Sequence, residues 1–180
     1  PILAQEDFVI NEDDYAEDIE KKMLDAEGKA LDSLLSNPKF PDLLSKEQEH
    51  KKAFYFEKRD PSDGIIDWQN DATEILRLIR ATSKPFPFAY TYFENNKVCI
   101  KKAKISDYPI KGVIGKILRV NDSSFLVQCE DGVLEILSWD SLNKSWEPKV
   151  NMRLGFNIQE EIYHLRKKIE EITRKIDLDT

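Results

Sequence analysis

The sequence is poor in the residues from which enzymes most often build catalytic centres. Its 180 residues include two histidines, His50 and His164, and two cysteines, Cys99 and Cys129. Neither pair has the spacing of a metal site, and the sequence has no Gly-rich phosphate loop and no nucleophile elbow. We therefore predict two ordinary surface histidines, two reduced core thiols and no metal site.

Long apolar runs are also absent. No stretch is long enough to cross a bilayer, and PILAQEDFVI at the start does not resemble a signal peptide. Reduced thiols are typical of the cytoplasm. The sequence therefore predicts a cytoplasmic protein with no membrane partner.

Positive charge is scarce in the first half of the chain. Residues 1–95 carry 12 basic and 21 acidic side chains, whereas residues 96–155 carry 10 and 7. An acidic surface repels a phosphate backbone. The middle segment is too weakly basic to predict a nucleic-acid-binding protein by itself.

The first third of the chain predicts a strand, a helix and a second strand. Residues 2–10 alternate between apolar and polar side chains, as a strand does. Asp14 and Glu17 form a capping-box pattern before a helix with one apolar face, which Pro38 and Pro41 end. Residues 45–52 form a polar connector before the short strand 53–58.

The middle of the chain predicts one helix and a small barrel. A helix over 71–83, capped by Asn70 or Asp71, follows the turn PSDG. Two β-rich runs around Asn95 and Asn96 indicate a hairpin. Further strands are predicted at short intervals over 112–120, 124–129 and 132–138, which is typical of a small closed or nearly closed barrel.

The last segment has a heptad pattern. Its apolar residues are spaced 4, 3, 4, 3 and 4 apart, which predicts a helix with a narrow apolar seam and a homo-oligomer. In a parallel pair, Glu161 and Arg166 are placed to meet across the seam. The seam consists of Ile158, Ile162, Leu165, Ile169, Ile172 and Ile176.

Residues 59–92 contain, in this order, Asp63-Gly64, Ile66-Asp67-Trp68, Ile79-Arg80-Ala81 and Pro85-Phe86-Pro87. With this order of motifs they resemble the linker and the start of the C-terminal domain of the folate-dependent formyltransferases. That family includes methionyl-tRNA formyltransferases and enzymes that formylate nucleotide-linked amino sugars. The similarity extends to PILAQ at 1–5 and EDGVLEI at 130–136. Phe88 departs from the pattern, because the family usually has glycine there. The matching residues are Arg59, Pro61, Asp63, Gly64, Ile66, Asp67, Trp68, Ile79, Arg80, Ala81, Pro85, Pro87, Ala89, Tyr90 and Thr91.

The resemblance implies an α+β architecture in four parts. Residues 1–45 would be the C-terminal end of a doubly wound catalytic domain, represented by one strand and one helix. Residues 46–95 would be a linker with a helix and an aromatic turn. Residues 96–155 would form a small OB-like barrel, and residues 156–180 the heptad helix, similar to a coiled coil.

The resemblance also implies a function. The family transfers a formyl group from 10-formyltetrahydrofolate to an amine, with a catalytic Asn, His and Asp whose positions precede PILAQ in the family. This chain would then contribute no catalytic residue, and would supply binding surface and assembly in the complete enzyme. The weak basic charge favours a nucleotide-linked amino sugar as substrate over initiator tRNA. A non-catalytic module, made of a barrel and a coiled coil, is the third alternative.

Two groups of residues are candidates for the site. Phe88 and Tyr90 lie in PFPFAYTYF at 85–93, where aromatic rings can stack on a nucleotide base. The linker motif consists of Arg59, Asp63, Gly64, Asp67 and Trp68. For the linker motif we favour structural roles, with Trp68 buried between the linker and the barrel, over direct contact with substrate.

Overall fold

The computed structural model describes residues 1–40, 45–156 and 158–178, with only the backbone described for 158–160 and 176–178. The chain divides into two compact units. Unit 1 contains residues 1–65 and 77–89, and unit 2 contains residues 66–76 and the chain from residue 90 onward. Helices and one antiparallel sheet together give the mixed α+β class that the sequence predicts.

The first helix, α1, spans Ala16–Leu35 in unit 1. The carboxylate of Asp18 accepts a hydrogen bond from the Tyr15 N–H at 3.1 Å, so the capping pair lies one residue later than predicted. Asp14 instead accepts from the Asn11 N–H at 2.7 Å and forms an ion pair with Lys22. These contacts lower the pKa of Asp14, chiefly through the bond from Lys22. The helix ends before Pro38 as predicted, whereas Pro41 lies outside the described residues.

The two strands predicted in the first third of the chain are wrong. Over 2–10 the structure has one isolated bridge, from Ile2 to Lys46, and residues 53–58 have no strand pairing among the described residues. A strand needs a neighbour for its backbone groups, and in these two segments of the described chain only Ile2 has one. Phe54, Tyr55 and Phe56 are consequently exposed, by 77%, 89% and 87%.

The linker helix, α2, spans Ala72–Ala81 and confirms the helix predicted over 71–83. Its cap is Asp71, whose carboxylate accepts from the Glu74 N–H at 2.7 Å. Ile75 and Ile79, both on the predicted inward face, are buried. Pro85 and Pro87 follow shortly after the end of the helix. Proline has no backbone N–H, and none is needed there for a helical hydrogen bond.

Unit 2 is built on a five-stranded sheet with the order β1-β2-β5-β4-β3. β1 and β2 are the predicted hairpin, with Glu94 and Asn95 in the turn. β3 and β4 fall within the predicted ranges 112–120 and 124–129, whereas β5 continues three residues beyond the predicted end at 138. The core contains buried side chains from several strands, including Ile100, Phe125 and Leu134. The strands are β1 Ala89–Phe93, β2 Asn96–Ser106, β3 Ile117–Val120, β4 Phe125–Gln128 and β5 Val133–Ser141.

Residues 151–155 connect the two edges of this sheet. On the β3 side, the Leu154 N–H donates to the Gly115 carbonyl and the Ile117 N–H donates to the Met152 carbonyl, each at 2.8 Å. On the β1 side, the Gly155 N–H donates to the Tyr92 carbonyl at 2.8 Å. The outer strands therefore share one closing segment, although the OB-like description remains a prediction.

The heptad segment forms helix α3, Ile158–Leu178, which confirms a helix at the predicted place. Ile162, Leu165, Ile169 and Ile172 are exposed. The side chains of Ile158 and Ile176, the two outer members of the predicted seam, lie outside the described residues. No helix among the described residues is both long and apolar enough to span a membrane.

Both cysteines are unpaired thiols, as predicted. Cys129 is buried, and this burial raises the pKa of its thiol to about 12. Cys99 is only half-buried, so the core position predicted for it is partly wrong. The described residues contain no cluster of three or more side chains able to hold a metal ion.

Candidate functional site

Unit 1 contains a cavity of about 710 Å³, a volume in the usual range for small-molecule sites. Two stretches form its wall: residues 58–64, and residues 77–88 from the end of α2 through the Pro-rich turn. The lining residues are Lys58, Arg59, Asp60, Pro61, Asp63, Gly64, Arg77, Leu78, Ala81, Thr82, Phe86, Pro87 and Phe88. We call this space the linker cavity.

A short 3-10 helix, Pro61–Gly64, gives the first wall its shape. The Asp60 carboxylate accepts from the Ser62 N–H and hydroxyl, and the Asp63 carboxylate accepts from the Asp60 N–H at 3.0 Å. Pro61 at the first helical position already has the required φ. The turn predicted at Asp63 and Gly64 is therefore present. The pKa of Asp60 is lowered, chiefly by the hydroxyl of Ser62.

Three cations line the linker cavity: Lys58, Arg59 and Arg77. Among the residues that the structure describes, none forms an ion pair or a hydrogen bond with these three side chains. The two carboxylates of the cavity, by contrast, accept hydrogen bonds within the 3-10 turn. The lining therefore offers unpaired positive charge to a bound anion.

Phe88 lines the apolar side of the linker cavity together with Phe86 and Leu78. Its backbone has φ of 62°, in the left-handed region, and its N–H donates to the Thr82 carbonyl at 2.8 Å. A bulky residue is rare in this region because Cβ crowds the backbone. The geometry explains why a family with this turn has glycine there, and makes Phe88 a strained residue that faces a cavity.

The strain at Phe88 can be measured with two substitutions that remove the same ring. Phe88→Gly should be more stable than Phe88→Ala by about 1 kcal/mol, because only glycine adopts positive φ without steric cost. In ordinary strand or helix backbone alanine is the more stable of the two. Urea unfolding of both variants measures the difference, and an alanine variant at least as stable as the glycine variant would contradict the strain.

Tyr90, the other predicted ligand-facing residue, lies in unit 2 on β1. Its side chain is 8% exposed, and the Lys97 ammonium lies 3.6 Å from the centre of its ring. Tyr92 contacts the same ring edge to face at 5.7 Å. Tyr90 is not among the residues that line the linker cavity, so the structure does not place it with Phe88. Contact of either residue with a ligand remains a prediction.

The remaining linker-motif residues, Asp67 and Trp68, also lie in unit 2. The Asp67 carboxylate accepts from the Gln69 N–H at 2.9 Å, which makes a local turn. Trp68 is 4% exposed, and its indole N–H donates to the Thr91 hydroxyl at 2.9 Å. Both residues therefore have contacts within unit 2, and their structural roles remain a prediction.

Sequence reasoning missed Arg77, Lys58 and Phe86. On α2, Arg77, Leu78 and Ala81 lie at positions i, i+1 and i+4, on the face away from Ile75 and Ile79. This spacing is the sequence signal that could have indicated that the three residues line one surface. Neither histidine belongs to the cavity: both are exposed, His50 in the 3-10 helix His50–Lys52 and His164 in α3.

Comparison with known proteins gives a family and a fold. Residues 58–148 match the model of the formyl transferase C-terminal domain, and all lining residues of the linker cavity fall within that match. A variant of HypX from Aquifex aeolicus superposes with a TM-score of 0.60 at 20% identity, covering 72% of this chain and 22% of HypX. HypX in complex with tetrahydrofolic acid gives 0.54 at 19% identity, covering 72% and 22%. This chain spans about a fifth of those HypX chains, and at this identity the likeness concerns the fold.

Proposed function

The chain belongs to the formyl transferase family through its C-terminal domain, and we propose that it is the C-terminal portion of a 10-formyltetrahydrofolate-dependent N-formyltransferase that acts on a nucleotide-linked amino sugar. In this proposal the chain supplies binding surface and assembly. The observation that supports it is the linker cavity, where unpaired cations and aromatic rings line one space.

A nucleotide diphosphate combines the two chemistries that this lining offers. Its phosphates carry concentrated negative charge, and Arg59 and Arg77 can each donate to phosphate oxygens in a forked, bidentate geometry. Its base has a flat π face, which Phe88 or Phe86 can stack against. A sugar joined to the diphosphate would extend beyond the phosphates.

The same lining is poorly suited to proton transfer. A general base needs a pKa near the working pH, and the lowered pKa of Asp60 makes that carboxylate a weak base. Asp63 already accepts a hydrogen bond from the backbone of the 3-10 turn. Neither histidine lines the cavity. We therefore assign no catalytic residue to this chain.

The linker cavity also does not suit the formyl donor. A pterin ring is recognised through paired donors and acceptors. The three cations of the cavity supply donors only, which match the phosphates of a nucleotide better than a pterin ring. We assign no residue of this chain to 10-formyltetrahydrofolate, which would supply the formyl group in the complete enzyme.

Titration of the chain with UDP and with dTDP tests the proposal. We expect binding that Arg77→Ala weakens by about 10- to 100-fold, because a hydrogen bond to a charged group contributes about 1.5–3 kcal/mol. Arg174→Ala removes the same charge from an exposed position on α3 and should leave the affinity unchanged. Phe88→Ala should weaken binding as well, whereas Phe54→Ala, at an exposed ring outside the cavity, should not.

The outcomes separate this proposal from the two alternatives. No calorimetric signal with either nucleotide at millimolar concentration contradicts the nucleotide-sugar proposal. Binding of initiator tRNA that is strong and steeply dependent on salt would favour the methionyl-tRNA enzyme instead. Binding of neither ligand would favour a non-catalytic module.

A further inference from the structure

Helix α3 exposes an apolar stripe. Ile162, Leu165, Ile169 and Ile172 are 45%, 56%, 62% and 56% exposed. Large apolar side chains exposed in one row along a helix favour a partner that removes them from water. The stripe is narrow, with spacings of three and four residues, which is the width that one partner helix covers.

The charges beside the stripe select the partner. With Ile162 and Ile169 at a positions and Leu165 and Ile172 at d positions, Glu161 takes a g position and Arg166 takes the e position of the following heptad. In a parallel, in-register pair of such helices, g of one helix lies beside the following e of the other. Glu161 of each copy then meets Arg166 of the other copy, which gives two opposite-charge contacts.

An antiparallel pair of the same helices would keep two opposite-charge contacts, Glu161 beside Lys175 of the other copy, but it would add like-charge contacts that the parallel pair lacks. There, e positions lie beside e and g beside g. Arg166 would lie beside Arg166 of the other copy, and Lys168 beside Lys168, so that like charges would meet near the middle of the seam. In the parallel arrangement Lys168 lies beside the neutral Thr173. The charge pattern therefore discriminates between the two directions.

We propose that α3 pairs in parallel and in register with α3 of a second copy of this chain, through Ile162, Leu165, Ile169 and Ile172. The described part of the seam, from Ile162 to Ile172, is shorter than two heptads. A helix pair with so short a seam is only marginally stable by itself. Association is therefore expected to depend on concentration, with the paired form dominant at tens of micromolar.

Light scattering over a concentration series tests the pairing. The intact chain should have at least twice its monomer mass of 21.0 kDa at tens of micromolar. Ile169→Glu should restore the monomer mass, whereas Lys167→Glu, at an outward f position of the same helix, should not. Both positions are exposed, so an unchanged melting temperature verifies that the chain still folds. A monomeric intact chain, or an Ile169→Glu variant that stays associated, overturns the proposal.

Cross-linking tests the direction. In the parallel register Leu165→Cys places the new thiol beside its equivalent in the other copy, and mild oxidation should join two chains through position 165. In an antiparallel pair residue 165 lies opposite residue 169, so the single cysteine would not cross-link. Peptide mapping separates this bond from any made by the half-buried Cys99. An associated protein that fails to cross-link through residue 165 overturns the parallel assignment.

Discussion

Replacing Trp68 with alanine should lower the free energy of unfolding by about 3–5 kcal/mol, the usual loss for a buried large aromatic side chain. Trp68 is 4% exposed, and its indole N–H bonds to the hydroxyl of Thr91, which is itself 1% exposed. The substitution leaves a cavity and removes the only donor that the described structure gives the Thr91 hydroxyl. Urea unfolding of the two proteins measures the loss.

Two control variants separate packing from the hydrogen bond. Tyr55→Ala removes an aromatic ring that is 89% exposed, and should change the free energy of unfolding by less than about 0.5 kcal/mol. Trp68→Phe keeps most of the ring but leaves Thr91 without its donor, and should cost about 1–3 kcal/mol. If Trp68→Ala kept its melting temperature and lost ligand binding, the indole would be a ligand contact instead of a structural one.

The contacts of Trp68 are those that the prediction of a structural role requires. Residue 66 already belongs to the sheet unit, because the Ile66 N–H donates to the Tyr90 carbonyl at 2.7 Å. Two residues later, the Trp68 ring lies against Gly155, where an added Cβ would come within 3.1 Å of it. The indole thus joins the linker, β1 and the segment that closes the sheet.

The sheet was the part of the fold most accessible to sequence reasoning. Its strands are bounded by residues that favour turns. Gly132, for example, precedes β5 and has a positive φ of 86°. Local signals of this kind place a hairpin without knowledge of the rest of the chain. The closing segment 151–155 also has turn residues with positive φ, Asn151 and Gly155. Its backbone bonds, however, join residues far apart in sequence, and local signals do not predict such partners.

The predicted strands at 2–10 and 53–58 failed for a related reason. Alternation shows that one side of a segment favours burial, but it does not supply a neighbouring strand to pair with. In the described chain Phe54 and Phe56 contact each other edge to face at 5.6 Å and otherwise face solvent. The aromatic, β-rich composition of residues 53–58 therefore indicated a preference for strand, but the segment does not form one.

Sequence analysis named some of the residues that line the linker cavity and missed others. Arg59, Asp63 and Gly64 were named in the linker motif, for structural roles, and Phe88 separately as a ligand contact, and all four line the cavity. Arg77 was missed because it reaches the cavity through its position on one face of α2. A position on a helix face is weak evidence for a ligand-binding site. Tyr90 was named with Phe88 because both are aromatic residues of PFPFAYTYF that could stack on a nucleotide base. Phe88 precedes β1 and has a left-handed backbone, whereas Tyr90 lies within β1.

Replacing Gly115 with alanine should be about as damaging as the loss of Trp68, although it adds only one methyl group. Gly115 has φ of 77°, and an added Cβ would lie 2.6 Å from the Leu154 carbonyl oxygen. The left-handed backbone costs a non-glycine residue about 1–2 kcal/mol, and overpacking adds about 1–3 kcal/mol. We expect a loss of about 2–5 kcal/mol in urea unfolding.

Replacement of a second glycine, Gly28, with alanine should have the opposite effect on stability. Gly28 lies inside α1 with open space around its Cβ position, so Gly28→Ala should raise the free energy of unfolding by about 0.5–1 kcal/mol. At Gly115 relief is unavailable, because its N–H donates to the Gln128 carbonyl and its carbonyl accepts from the Leu154 N–H, each at 2.8 Å. A shift that accommodates the methyl group would strain these two bonds, one of which links Gly115 to residues 151–155. If Gly115→Ala were as stable as the parent, those residues would not hold the two edges of the sheet together.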